Sequence, residues 1–145
     1  MPTRTAQTAW TGGLQDGTGH VDLLSSEAGS YDVSFPKRAA EEADGTTSPE
    51  ELIAAAHSSC YAMQFSGLAA AAGGTPHHVD VTAAVTLGAD AAGGFRLTGI
   101  ALTVRGRIDG LDHDGFVKVA EEAKATCPIS KALTGVEITL DAAPA

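Results

Sequence analysis

A long, nearly uncharged segment, residues 48–72, constrains the fold of this chain more than any other feature. It opens with "SPEEL", in which Ser48 is a typical N-cap, Pro49 suits the first helical position and Glu51 can complete a capping box. A Gly-Gly pair at 73–74 follows the segment and ends a helix there. The sequence therefore predicts one helix over residues 49–72, which would be about 36 Å long.

This predicted helix is apolar on nearly every side. Beyond Glu51 its only strongly polar residues are His57 and Gln64, so it has no broad polar face to turn toward water. A domain of 145 residues has difficulty enclosing such a rod completely. We therefore expect a second copy of the chain to cover part of the helix in a homodimer.

The remainder of the chain alternates strand-like and helix-like segments, which predicts a single α+β domain over residues 1–145 with mainly antiparallel sheets. Six segments have the alternation or composition of strands: 5–10, 20–24, 30–35, 78–87, 95–108 and 136–140. A second helix is predicted over 112–126, with its buried face formed by Phe116, Val119, Ala120 and Ala123. The polar stretch "PKRAAEEADGTT" indicates a mobile loop, and "CPISKALTG" indicates one or two further helical turns.

Charge and composition exclude several classes of protein. The net charge of −9 comes without any cluster of Lys and Arg, which argues against nucleic-acid binding because phosphates need cationic partners. No segment is apolar over the length of a signal peptide or a membrane span. We therefore expect a cytoplasmic protein whose two cysteines stay reduced unless they react.

The simplest interpretation of each cysteine is a small buried hydrophobic residue with no chemical role. Two features favour reactivity instead. Cys127 is followed directly by Pro128, which places it at a helix start where amide groups lower the pKa of a thiol. Cys60 lies in the small-residue run "AAAHSSC", which allows another backbone or a ligand to approach closely.

A metal site is the rival interpretation of these residues. His57 lies one helical turn before Cys60, and the pair His77 and His78 could add ligands. The chain has no CxxC, no second His/Cys pair and no HExxH, so we expect no metal. His57 is then a helix-face histidine near a thiol.

Two stretches together resemble one known family. "TTSPEELIAAAHSSC" and the later "ATCPISKAL" are similar to the corresponding segments of the osmotically inducible protein C family, the OsmC/Ohr superfamily of thiol-dependent peroxidases. The resemblance extends over essentially the whole chain. It implies an intertwined homodimer of α+β subunits, with two active sites at the interface. It also implies reduction of organic hydroperoxides without a cofactor.

The resemblance also implies roles for particular residues. Cys60 matches the peroxidatic cysteine, Cys127 the resolving cysteine and Glu50 the glutamate of the active site. The arginine of the OsmC branch precedes the Pro-Glu motif by about ten residues, and Arg38 stands twelve before Glu50 in this chain. We therefore place the chain in the OsmC branch, with Arg38 as its arginine. The expected reductant is an external dithiol, of the lipoyl type by resemblance.

Helix geometry adds a constraint on where these groups act. Glu50 and Cys60 are ten residues apart, about 15 Å along a helix. Glu50 and Arg38 are therefore expected to serve the Cys60 of the partner subunit. An apolar substrate pocket near Cys60 is expected from Met63, Tyr61 and an aromatic residue of the strands, either Phe35 or Trp10, with Phe65 as a further candidate.

Two other functions stay open at this point. The same disulfide could serve a redox-sensing stress protein that is not an enzyme. A ligand-binding homologue with inert cysteines is the other alternative. The presence of both cysteines, Glu50 and a suitable arginine favours the enzyme, because a binding protein does not need all four.

Overall fold

The computed structural model describes residues 1–145, which form two compact units, 1–52 and 53–145. The elements follow the order βββ-αα-ββ-αα-β, so the predicted α+β class is confirmed. The observed order of elements differs from the predicted order by one additional short helix.

The first unit contains a three-stranded antiparallel sheet. Its strands are β1 (Gln7–Thr11), β2 (Thr18–Asp22) and β3 (Ser30–Val33), in that spatial order. The turn between β1 and β2 requires glycine at position 17, because a Cβ there would clash with the carbonyl oxygen of Gly13.

A short helix, α1 (Phe35–Arg38), follows the sheet and corrects two predictions. Phe35 is helical rather than the last residue of a strand, and Pro36, Lys37 and Arg38, the first three residues of the predicted loop, are helical as well. The side chain of Ser34 instead accepts a hydrogen bond from the Lys37 amide, and Pro36 lies in the first helical turn. Proline without an amide hydrogen is well tolerated there, so this local sequence begins a helix.

The long helix, α2 (Pro49–Ala71), is present at almost the predicted bounds. The Ser48 hydroxyl accepts a hydrogen bond from the Glu51 amide at 3.1 Å, which confirms the N-cap. The Glu51 carboxylate accepts from the Thr47 hydroxyl at 2.6 Å, so its side chain engages the residue before the cap. Gly73 ends the helix at φ +87°, a conformation that favours glycine.

The second unit contains a mixed three-stranded sheet in the order β4-β5-β6. Strands β4 (Thr75–Ala89) and β5 (Phe95–Asp109) pair antiparallel, and β6 (Ile138–Pro144) pairs parallel with β5. The last strand thus runs four residues beyond the predicted end at 140. The β4–β5 register shifts between Pro76 and His78 and between Thr86 and Leu87. The second shift leaves Thr98 as an extra residue in β5, so the apolar alternation of that strand moves from odd to even positions between Leu97 and Ile100.

Two helices pack in the second unit, α3 (His113–Thr126) and α4 (Pro128–Ala132). The Asp112 side chain caps α3 by accepting from the Gly115 amide at 2.8 Å. The predicted buried face of α3 is confirmed at all four positions. Phe116 on this face packs against Phe65 of α2 with ring centroids 4.9 Å apart, and both belong to one continuous core.

Helix α2 buries only one stripe within the single chain. The stripe recurs every fourth residue, as expected for one helix face: His57, Tyr61, Phe65 and Ala69. Other positions remain exposed, including Met63 with 74% of its surface accessible. No helix of the protein is both long and apolar enough to cross a membrane.

Candidate active site

The two cysteines meet in the second unit. Cys60 lies in the middle of α2, and Cys127 connects α3 to α4. Their sulfur atoms are 3.1 Å apart although the residues are 67 positions apart in the sequence. A disulfide bond is about 2.05 Å long, so these are two reduced thiols in contact. Only a small movement separates them from a covalent bond.

Contacts between α2 and α3 fix the position of Cys127. The Gln64 side-chain amide donates to the Thr126 hydroxyl at 2.9 Å, directly before the cysteine. The Cys127 amide donates to the carbonyl of Ala123 at 2.8 Å and closes the last turn of α3. Cys127 is fully buried, whereas Cys60 retains some exposure.

The surroundings give the two thiols opposite acidities. Burial raises the pKa of Cys60, and the hydrogen bond it shares with Cys127 raises it further. Burial also opposes ionisation of Cys127, but hydrogen bonds with the Ser130 amide, the Cys60 thiol, the Ser130 hydroxyl and the Ile129 amide outweigh it and lower the pKa of Cys127. The second unit alone therefore supports a thiolate at Cys127 rather than at Cys60. A cation beside Cys60 would lower the pKa of its thiol.

A buried polar pair adjoins the cysteines. His57 Nε2 lies 2.7 Å from the hydroxyl oxygen of Ser130, and both side chains are buried. His57 precedes Cys60 by three residues, and Ser130 follows Cys127 by three. The sequence placed His57 near the thiol but did not single out Ser130. The matching three-residue spacing in the two cysteine segments was the available signal.

The first unit holds an ion pair between Arg38 and Glu50. The guanidinium donates from Nε to both carboxylate oxygens, at 3.1 and 3.0 Å, and from Nη2 to one of them at 2.6 Å. Burial opposes ionisation of Glu50, but its hydrogen bonds with Arg38 prevail and lower its pKa. Arg38 and Glu50 are twelve residues apart in the sequence. They form an ion pair because α1 presents Arg38 to the first turn of α2.

An open cavity of about 470 Å³ adjoins this ion pair within the first unit. Trp10, Phe35 and Leu52 contribute to its walls, together with Arg38. Most other lining residues are also apolar: Leu14, Val21, Val33 and Pro49, with Thr8 and Ser34. Both aromatic residues of the strand region that the sequence proposed for a substrate pocket therefore line one cavity.

The pocket candidates on α2 have different surroundings. Tyr61 is fully buried, stacks with Phe65 and donates its hydroxyl hydrogen to the Ala120 carbonyl at 2.7 Å. Phe65 is also fully buried. Both side chains therefore belong to the core of this unit, and neither is assigned to a substrate pocket. Met63 lies on the exposed side of the helix.

The histidines considered as metal ligands have other partners. On β4, His77 pairs with Asp109 at 2.8 Å and His78 with Asp80 at 2.9 Å. No group of three His, Cys, Asp or Glu side chains in the chain could hold a metal ion. Ser130 is the hydrogen-bond partner of His57.

Comparisons with known proteins identify the family of this chain. A family model described as OsmC-like protein matches residues 42–141. The chain belongs to this OsmC-like family. Peroxiredoxin OsmC of Escherichia coli K12 is 39% identical over 135 residues, which cover 93% of this chain and 92% of that protein. The recognition made from the two cysteine segments is therefore confirmed.

Solved structures give the same result for this OsmC-like protein. An organic hydroperoxide resistance protein OsmC from Legionella pneumophila is 29% identical, with a TM-score of 0.77 over 97% of this chain and 96% of that one. An organic hydroperoxide resistance protein from Elizabethkingia anophelis, crystallised with thiocyanate bound, is also 29% identical. Its TM-score is 0.78, over 97% of this chain and 94% of that one.

Proposed function

We propose that this protein is a thiol peroxidase that reduces organic hydroperoxides to alcohols in oxidative or osmotic stress defence. The observation that carries the proposal is the 3.1 Å contact between the sulfurs of Cys60 and Cys127. The Escherichia coli relative is named a peroxiredoxin and the two relatives of known structure are named organic hydroperoxide resistance proteins, which supports a peroxidase that acts on organic hydroperoxides.

The proposed reaction needs no cofactor. The Cys60 thiolate attacks the distal oxygen of ROOH, the O–O bond breaks, and the alkoxide leaves as ROH after taking a proton. Cys60 is then a sulfenic acid. The Cys127 thiolate attacks its sulfur, hydroxide leaves and takes a proton to form water, and the Cys60–Cys127 disulfide remains. An external dithiol, of the lipoyl type by resemblance, restores both thiols by exchange.

In this scheme the Arg38–Glu50 pair supplies the positive charge that stabilises the Cys60 thiolate. Arginine is permanently cationic, so it stabilises both the Cys60 thiolate and the oxygen that leaves. Glu50 holds the guanidinium in a fixed orientation through three hydrogen bonds. The absence of a cation beside Cys60 in the second unit fits this division of roles, since its pKa is raised there.

We infer that the pair acts across an intertwined homodimer. Glu50 and Cys60 occupy one helix ten residues apart, about 15 Å along its axis, so an arginine held at Glu50 points to a different Cys60. Large apolar side chains remain exposed in the single chain, among them Trp10, Leu14 and Met63. Exposed apolar surface of this kind is typical of an interface. A monomeric mass in light scattering would contradict the homodimer.

The cavity beside Arg38 is the proposed site for the alkyl group of the substrate. Replacing Phe35 with alanine is expected to raise the KM for an aryl hydroperoxide about tenfold, because apolar surface there no longer covers the substrate. The rate with hydrogen peroxide, which has no alkyl group, should change little. The matched control is Phe95→Ala at the exposed start of β5. Equal effects on both peroxides would contradict the assignment of the cavity.

A thiol titration tests the proposed function as a whole. One equivalent of an organic hydroperoxide per chain should consume both thiols and leave an intramolecular Cys60–Cys127 disulfide, identified by peptide mass spectrometry. With excess dithiol and peroxide the protein should complete many cycles. A single oxidation without turnover would indicate a redox sensor. Thiols that survive excess hydroperoxide would indicate the inert, ligand-binding alternative.

A further inference from the structure

We propose that Ser130 is a catalytic residue of the resolving step, and that His57 is the positioning residue that orients its hydroxyl toward the sulfur of Cys127. This inference rests on the proposed peroxidase function. It adds to the two cysteines a buried hydrogen-bond chain, His57–Ser130–Cys127, which holds the resolving cysteine ready to attack.

The proposed chain rests on one hydrogen bond and on the position of Ser130 in α4. His57 Nε2 is 2.7 Å from Ser130 Oγ, between residues 73 positions apart. Cys127 is the N-cap residue of α4 and Ser130 lies in the following turn, where its amide and, to a smaller extent, its hydroxyl lower the pKa of Cys127. His57 is 0% and Ser130 5% exposed, so bulk water does not compete for these hydrogen bonds.

The direction of the hydrogen bonds follows from the unpaired nitrogen. His57 Nδ1 is buried and has no hydrogen-bond partner. Burial lowers the pKa of His57, so the ring is neutral and carries one proton. A proton on Nδ1 would leave a buried donor unpaired, which is rarer in proteins than an unpaired acceptor. The proton therefore belongs on Nε2, which donates to Ser130 Oγ.

This tautomer determines what the Ser130 hydroxyl can do. Its oxygen accepts from His57, so its own hydrogen is free to donate to the Cys127 sulfur. A donor beside the sulfur favours the thiolate over the thiol. Because the thiolate is the attacking form, a larger ionised fraction of Cys127 speeds its attack on the Cys60 sulfenic acid.

The other titratable groups near Cys127 do not provide this stabilisation. Tyr61 of α2 is kept neutral by burial, which raises its pKa, and its hydroxyl donates to the Ala120 carbonyl. The Cys60 thiol contacts Cys127 in the resting protein, but it becomes the sulfenic acid before the resolving step. Glu121 of α3 is the charged group that acts on Tyr61, and as an anion it cannot stabilise a thiolate.

A titration tests the hydrogen-bond chain without any peroxide. In a Cys60→Ser background, Cys127 is the only thiol, and thiolate absorbance near 240 nm reports its pKa. Ser130→Ala and His57→Leu are each expected to raise that pKa by about one unit. Ser130→Thr, which keeps a hydroxyl, and His57→Gln, which keeps an N–H donor, should restore the lower value. Ser59→Ala on the exposed side of α2 is the matched control.

A rapid-quench experiment tests the catalytic consequence in the protein with both cysteines. After one equivalent of organic hydroperoxide, Ser130→Ala should form the Cys60 sulfenic acid at the normal rate, as trapped by dimedone. Its disulfide should form about tenfold more slowly, in step with the smaller thiolate fraction. Circular dichroism checks that each variant folds. Ser130→Ala removes a single oxygen atom, so this variant decides the outcome if His57→Leu does not fold.

The outcomes separate this inference from the proposed function. An unchanged Cys127 pKa in Ser130→Ala, or an unchanged rate of disulfide formation, would overturn the hydrogen-bond chain while the peroxidase function stands. Absence of any sulfenic acid in the unmodified protein would overturn the peroxidase function, and the titration would still report on Ser130 and His57.

Discussion

Replacement of Cys60 with serine is expected to abolish hydroperoxide reduction, with a loss of about a thousandfold or more, because a serine hydroxyl is not ionised at neutral pH and cannot replace a thiolate. The matched variant Cys127→Ser should behave differently. It should consume one equivalent of hydroperoxide per chain and stop at the Cys60 sulfenic acid, since the resolving thiol is missing. Peroxide consumption and intact-protein mass spectrometry distinguish the two variants.

The two variants also test which of the two cysteines attacks the peroxide. Within the second unit, Cys127 has the lowered pKa and Cys60 the raised one. If Cys127 were the sulfur that attacks the peroxide, Cys60→Ser would retain the first oxidation and Cys127→Ser would lose it. That reversed result would contradict the proposed roles. It would also remove the need for a cation from a partner subunit.

Mixing two inactive variants is expected to restore activity if subunits share their active sites. Glu50→Ala should lower activity about a hundredfold, because Arg38 loses the carboxylate that orients it. A heterodimer of Glu50→Ala and Cys60→Ser chains would hold one complete site, with Cys60 from one chain and the Arg38–Glu50 pair from the other. Random mixing makes half of the dimers heterodimers, so about a quarter of the normal activity should return.

The control for this experiment combines two substitutions that both lie in the second unit. Cys60 and Cys127 lie in contact within one chain, so mixing Cys60→Ser with Cys127→Ser should restore nothing. If the Glu50→Ala mixture also stays inactive although native mass spectrometry shows heterodimers, Arg38 and Glu50 do not serve the partner's cysteine. Activity in a protein shown to be monomeric would contradict the shared site directly.

The structure supports each half of this proposed site separately. The thiol pair and the His57–Ser130 chain belong to the second unit, and the Arg38–Glu50 pair with its apolar cavity belongs to the first. Each half is formed by contacts between residues distant in sequence, so each is organised before any substrate arrives. Preorganisation of this kind favours catalysis, because charges and nucleophiles need not rearrange during the reaction.

The sequence by itself determined the features that depend on neighbouring residues. Ser48 and Gly73 mark the ends of α2 because capping and left-handed conformations are local properties. The period of Phe116, Val119 and Ala123 determined which face of α3 is buried, since a helix repeats every 3.6 residues. The two cysteine segments were sufficient to identify the family.

Only the tertiary structure decided the features that depend on long-range contacts. Tyr61 lies in the core rather than in a pocket because α3 packs over it, which local periodicity does not specify. The parallel pairing of β6 and the contact between His57 and Ser130 join segments tens of residues apart. Local patterns encode the conformation of a segment, but which segments meet depends on how the whole chain buries its apolar surface.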